Sequence, residues 1–248
     1  MEDPLARYFI GTSGWTYGHW RGNFYPADLP KSRWFGHYIT QFNAVEVNAT
    51  FYRTFKDQVY HNWRARSPAG FRFVLKAPRT ITHYKYLVDA AGEIQAFDRS
   101  AHLLEEKLGL ILLQVAPGTP YDLGRLRDAL QAFSDPSKVA VEFRHESWLS
   151  EETRRLLSEV GSAYCNADSP RKPLASWLTS GAGYLRLHGR KHWYASDYTP
   201  EELSEIAGMA RQMVAGGADQ VYIFFNNDFE GYAPKNALAL LAMLKIPE

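Results

Sequence analysis

"VAVEFRHESW", residues 139–148, decides how this chain is read. It starts as an apolar run with β-branched residues, the composition of a buried strand. Within a few positions it turns into Glu142, Arg144, His145 and Glu146. Strand side chains alternate between two faces. Val141 and Phe143 therefore share one face, and Glu142 and Arg144 share the other. Such a strand ends in acid, base and imidazole only if it leaves the core at that point.

The pattern recurs outward in both directions. "AVEVNATF" (44–51) sets Val45 and Val47 against Glu46 and Asn48, and "FRFVLKAP" (71–78) sets Phe73 and Leu75 against Val74 and Lys76. "GYLRLHG" (183–189) sets Leu185 and Leu187 against Tyr184, Arg186 and His188, and "QVYIFFNND" (220–228) sets Ile223 and Phe225 against Phe224 and Asn226. Gln114 ends "LILLQ", and Asn166 and Asp168 end "AYCNAD". With "YFIGTSGW" (8–15) these make eight strand-like runs. Helix-like runs alternate with them, such as "LPKSRWFGHYITQF" with Trp34, Tyr38 and Phe42 at helical spacing. Ser150 is an N-cap candidate before "EETRRLLSEV", and Pro200 suits a first helical turn. The repeated β-then-α order predicts a parallel sheet, and about eight units in 248 residues predict a single (β/α)₈ TIM-type barrel, α/β in class, over 1–248. A doubly wound open sheet would carry a Gly-rich phosphate turn after its first strand, and "GTSGWTYG" does not match that fingerprint. In a barrel one strand face meets the helices and the other points inward. The polar residues then collect at the carboxyl ends, where barrel active sites are built.

Composition narrows the partners. Lys+Arg 28 against Asp+Glu 27 leaves +1, without the basic excess that holds a protein to duplex nucleic acid. The single cysteine, Cys165, excludes an internal disulfide and suits a reducing compartment. "MEDPLARYF" lacks a leader's apolar stretch and no run is long enough for a membrane span, so a soluble cytoplasmic protein with no membrane partner is expected. Seven Trp and fifteen Tyr pose a choice between core area and a site walled with rings.

Within the predicted mouth, Glu142 is the first candidate for proton transfer, with Glu46 as its partner and His188 beside them. Lys76, Arg144 and Arg186 are expected to hold an anion. Asn48, His83, Gln114, Asp168 and Asn226 complete the polar lining. Trp15, Trp20, Trp148 and Trp193 are expected to stack on a sugar or base. "HGRKHWYASDYTP" (188–200) reads as a lip whose Arg190–Tyr198 segment forms a mobile lid. The rival reading is structural: inward Lys–Glu and Arg–Glu pairs, Glu46 with Lys76 for one, can simply satisfy each other. It competes well for any one residue and poorly for a set gathered at one end of several strands.

"GTSGWTYGHWRGNFYP", "VEVNATFYR", "LKAPRTITH", "VEFRHESW", "RLHG" and "FNNDFEGYAPKNA" together resemble the YecE-like family, in order and over nearly the whole chain. The resemblance implies a TIM-barrel-type fold. It implies no activity, cofactor or catalytic residue, and the fold hosts many chemistries.

Three functions compete. The first is an acid/base hydrolase, isomerase or lyase without a cofactor, using paired carboxylates on a small anionic sugar- or phosphate-containing substrate. The second is a metal-dependent sugar isomerase or phosphodiesterase with Glu46, Glu142 and His188 as ligands. The absence of HxH and HExxH spacings and three inward cations oppose it, and no metal is expected. The third is a non-catalytic module for single-stranded or modified nucleic acid, which the balanced charge disfavours.

Overall fold

The computed structural model describes residues 7–171 and 174–245. The first six residues of "MEDPLARYF" and part of the Pro-containing stretch after Asp168 lie outside the described residues. Eight parallel strands form: β1 (Tyr8–Thr12), β2 (Ala44–Val47), β3 (Arg72–Lys76), β4 (Leu108–Val115), β5 (Val139–Phe143), β6 (Ala163–Asp168), β7 (Ala182–Leu187) and β8 (Gln220–Phe225). Their order is β1-β8-β7-β6-β5-β4-β3-β2. A parallel bridge between Ser13 and Glu46 joins the ends of β1 and β2. This is the connectivity of a (β/α)₈ barrel, as the alternation of runs predicted. The helices are α1 (Trp34–Gln41), α2 (Ala49–Tyr52), α3 (Asp57–Arg66), α4 (Ala91–Ala101), α5 (Leu123–Gln131), α6 (Glu151–Val160), α7 (Pro200–Ala215) and α8 (Tyr232–Lys245). Among the described residues no helix separates β6 from β7, so the sixth β-then-α unit lacks its helix. None of the described helices is long and apolar enough to cross a membrane.

Local sequence sets the helix ends. Ser150 Oγ accepts the Thr153 amide, capping α6. Thr199 and Glu202 form a reciprocal capping box before α7, which starts at Pro200.

The chain divides into two compact units: 1–46 with 166–178 and 182–248, and 47–165 with 179–181. In the first, β8 pairs with β1 from Tyr8↔Val221 to Thr12↔Phe225, and with β7 from Ala182↔Gln220 to Leu187↔Phe225. Trp34, Tyr38 and Phe42 are buried, as their helical spacing predicted. The Tyr38 hydroxyl accepts the Thr12 amide at 2.8 Å and donates to the Ala44 carbonyl at 3.1 Å. Burial pushes this phenol well above its ordinary range, so the hydroxyl remains a donor. In the second unit β3, β4, β5 and β6 pair in sequence, with Gln114 beside Glu142, and the register shifts between Phe73 and Leu75.

Gly11 permits the close approach of β1 and β2. A Cβ there would lie 2.0 Å from the Ala44 carbonyl oxygen and 2.7 Å from the Tyr38 hydroxyl. Backbone cannot yield as a side-chain tip can. Gly11→Ala is expected to lose about 3 kcal/mol, the upper range of core overpacking, read as a shifted midpoint in urea unfolding. An unchanged midpoint contradicts this packing.

Candidate active site

Two polar clusters stand at strand ends, one in each unit. In the first unit Glu46, the third residue of β2, is fully buried. It accepts hydrogen bonds from Ser13 Oγ at 2.7 Å, Tyr184 OH at 2.6 Å, Arg186 Nε at 3.0 Å and Arg186 Nη2 at 2.8 Å. Arg186 is itself 2% exposed. Burial alone raises a carboxyl pKa, but Arg186, Tyr184 and Ser13 outweigh it and hold Glu46 below the ordinary range. Glu46 thus takes its cation from Arg186 and is fully occupied as an acceptor. The pairing expected between Glu46 and Lys76 is corrected to Glu46 with Arg186, two residues expected to serve as acid/base partner and anion ligand. His188 joins the same cluster. It is fully buried, with one ring nitrogen 3.4 Å from Arg186 Nη1 and the other 3.0 Å from Asn226 Nδ2. Trp193 packs beside its ring at 5.6 Å and is half-buried.

In the second unit Lys76 ends β3, Gln114 lies one residue before the end of β4, and Glu142 one before the end of β5. Lys76 Nζ donates to Gln114 Oε1 at 2.9 Å, and Gln114 Nε2 donates to Glu142 Oε2 at 3.1 Å. Glu142 Oε1 meets Arg144 Nε as an ion pair at 2.5 Å. The carboxylate is 1% exposed, but the arginine side chain is 20% exposed and reaches solvent. Lys76 Nζ also sits 4.0 Å from the centre of the Phe51 ring, whose edge meets His83. His83 is half-buried, and burial, Lys76 and Arg144 together hold its imidazole below the ordinary range, hence neutral at pH 7. Its Nδ1 pairs with Thr82 Oγ1 at 2.8 Å. Asn48, half-buried, stands at the start of α2.

The tryptophans mostly belong to packing. Trp20 and Trp148 are fully buried, so neither can stack on a ligand. Trp148 stacks on Phe143 at 5.0 Å, and Trp20 packs on Tyr17 and donates its indole N–H to Asp228 at 2.6 Å. Trp15 is half-buried against Phe35. Asp168 is committed too: Oδ2 accepts Arg190 Nε at 2.9 Å and Tyr198 OH at 3.2 Å. Burial raises its pKa against those two contacts. Ser13, Tyr184 and Tyr198 went unassigned in sequence. The inward parity of Tyr184 was the one signal that could have found it.

The 188–200 loop is braced rather than loose. Ser196 Oγ accepts the amides of Lys191 and His192, Tyr194 N–H donates to His188 O, and Asn227 holds Ser196 O. Arg190 bridges Asp168 and Glu205. These contacts hold the Arg190–Tyr198 segment in one conformation, against which its expected mobility can be tested.

A family model described as a protein of unknown function, DUF72, matches residues 9–248. The chain belongs to the DUF72 family. Its relatives include the UPF0759 protein YunF of Bacillus subtilis strain 168, 25% identical over 96% of this chain and 95% of YunF. The UPF0759 protein YecE of Escherichia coli K12 is 31% identical over 46% of this chain and 42% of its own length. The YecE-like motifs therefore identified the family correctly. Among solved structures, a DUF72 family protein from Thermotoga maritima MSB8 matches with a TM-score of 0.88 and 28% identity, covering 97% of this chain and all (100%) of that one. One from Enterococcus faecalis V583 matches at 0.80 and 20% identity over 97% and 96%. The fold shared with these DUF72 proteins is thus the TIM-type barrel that the alternation of strand-like and helix-like runs predicted.

Two outcomes follow from this geometry. Glu46→Gln leaves Arg186 buried without its charge partner, and a loss of about 3 kcal/mol or more is expected in urea unfolding. Because the folded pKa of Glu46 is depressed, its contribution is present above the unfolded carboxyl value of about 4.3 and fades as pH falls through the folded value. The variant should lack that part of the acid dependence. A variant as stable as the parent would remove Glu46 from the fold's supports. Second, trypsin should cut slowly after Arg190 and Lys191 in the native protein, because both peptide segments are hydrogen-bonded. Prompt cleavage there would restore the lid.

Proposed function

We propose that this protein is an acid/base enzyme of the hydrolase, isomerase or lyase kind, acting in the cytoplasm on a small anionic sugar- or phosphate-containing substrate. The observation that carries the reading is the Glu142–Arg144 pair. Its carboxylate is buried, but its guanidinium reaches solvent, unlike the sealed Glu46–Arg186 pair. Gln114 donates to the same carboxylate from the adjacent strand, and Lys76, one strand further on, donates to Gln114. A substrate anion would meet Arg144 and Lys76, and these cations favour the ionised Glu142 that a proton acceptor requires. The neutral imidazole of His83 stands against the same cations and can pass a proton on. Among the described residues no three His, Cys, Asp or Glu side chains gather in a way that could hold a metal ion, so the donor set supports the metal-dependent alternative less well.

Glu142→Gln tests the assignment, since it keeps shape and removes charge. It should fold with stability near the parent's and lose turnover on whichever compound emerges from a screen of phosphorylated sugars, glycosides and nucleotides. If the pair is only structural, Arg144 is left unpaired and a stability loss of roughly 3 kcal/mol is expected instead. A large drop in melting temperature with activity retained by the folded fraction sinks the catalytic role.

A further inference from the structure

Two of the family motifs carry residues that the reading above does not use. "TYGHWRG" places His19 on the loop after β1, and "FNNDFEGY" places Asp228 on the loop after β8. Both loops belong to the first unit and follow strand carboxyl ends, where barrel chemistry is found. His19 Nε2 lies 2.9 Å from the Asp228 carbonyl oxygen and 3.2 Å from its Oδ2. A carbonyl oxygen can only accept, so Nε2 carries the hydrogen. The neutral ring therefore keeps its lone pair on Nδ1, which none of the described residues engages. The histidine side chain is 46% exposed, whereas that of Asp228 is 20% exposed.

Asp228 is fixed from behind. Its Oδ1 accepts the indole N–H of Trp20, and that ring is wedged among Tyr17, Phe24 and Tyr25. The carboxylate cannot turn away from His19 without abandoning this bond. Burial pushes the Asp228 carboxyl up to about 6, with His19 and Trp20 pulling the other way, so it is ionised at neutral pH at a cost to the fold. An ionised carboxylate held against one imidazole nitrogen fixes the tautomer and stabilises the imidazolium, the logic of an aspartate–histidine pair in acyl-transfer enzymes.

We propose that His19 is a proton-transfer residue, with Asp228 and Trp20 as its positioning residues. Nδ1 takes the proton of a substrate hydroxyl or an attacking water as that oxygen bonds to the substrate carbon. The imidazolium formed faces the Asp228 carboxylate, and the carbon–oxygen bond to the leaving group then breaks, its oxygen keeping the electron pair and taking the proton back from Nδ1. The substrate class is an ester, glycoside or other compound that exchanges one oxygen group for another. This inference does not depend on the role assigned to Glu142.

The rival account is a latch that merely ties the two loops together. Limited reaction of the folded full chain with iodoacetamide at about pH 8.5, above the ordinary imidazole range, separates the two. The Nδ1 lone pair displaces iodide, and peptide mapping locates the carbamidomethyl group. His19 should be labelled on Nδ1 ahead of the exposed His61 and His192. Asp228→Asn keeps the backbone carbonyl and removes the charge, and it should slow labelling several-fold. A latch predicts the reverse, since loosening the loop exposes the ring. Labelling of His19 no faster than that of His61 and His192 in the parent, or labelling at an equal or greater rate in Asp228→Asn, overturns the dyad. The parent comparison decides even if the variant does not fold.

Discussion

The first unit depends on one buried charge pair. Glu46 and Arg186 sit on β2 and β7, and the carboxylate also takes hydrogens from Ser13, just after β1, and from Tyr184. Four polar groups on three segments satisfy one another with no water needed. Separating either charge from the other would leave an ion without compensation in a medium that solvates it poorly. The segments carrying these groups are therefore held in one arrangement. Gly11 and Tyr38 make the same demand of the backbone next to it: β1 and β2 approach too closely to admit a Cβ. A charge network and a steric limit thus fix the same strand ends.

The contrast between the two carboxylates follows from their partners. Both are buried and both meet an arginine, so neither residue type nor burial separates them. What differs is where the guanidinium ends. Arg186 is sealed with Glu46, whereas Arg144 belongs partly to the solvent. A guanidinium that reaches solvent can meet a ligand while it stays paired with its carboxylate, and one in a sealed pair cannot. The second unit also links Lys76 to its carboxylate through Gln114 and sets a neutral His83 beside Lys76 and Arg144.

The aromatic richness of the chain serves packing first. Tyr25 and Trp34 stack at 4.7 Å and 6°, and Phe24 and Tyr38 continue the cluster. This rigid wall gives the loop after β1 a defined shape. Trp20 uses its ring for that wall and its N–H for Asp228, so core area and site geometry come from the same residue.

Sequence by itself determined the strands, their parity and most of the helices, because the period of apolar residues is a local property of the chain. It also placed Glu142, Gln114, Lys76 and Arg186 at strand ends, and the family motifs marked the loops that carry His19 and Asp228. Tertiary structure alone decided which charge meets which. Parity assigns a face, but partners on different strands are chosen by register and side-chain reach, and so Glu46 went to Arg186 rather than to Lys76. It alone decided burial as well. Trp20 and Trp148 look like ligand walls in a loop-rich sequence and are core once neighbouring segments close over them. Ser196 shows the same limit: one hydroxyl accepts two amides of the 188–200 loop. Hydrogen bonds of that kind join residues whose proximity no periodicity records.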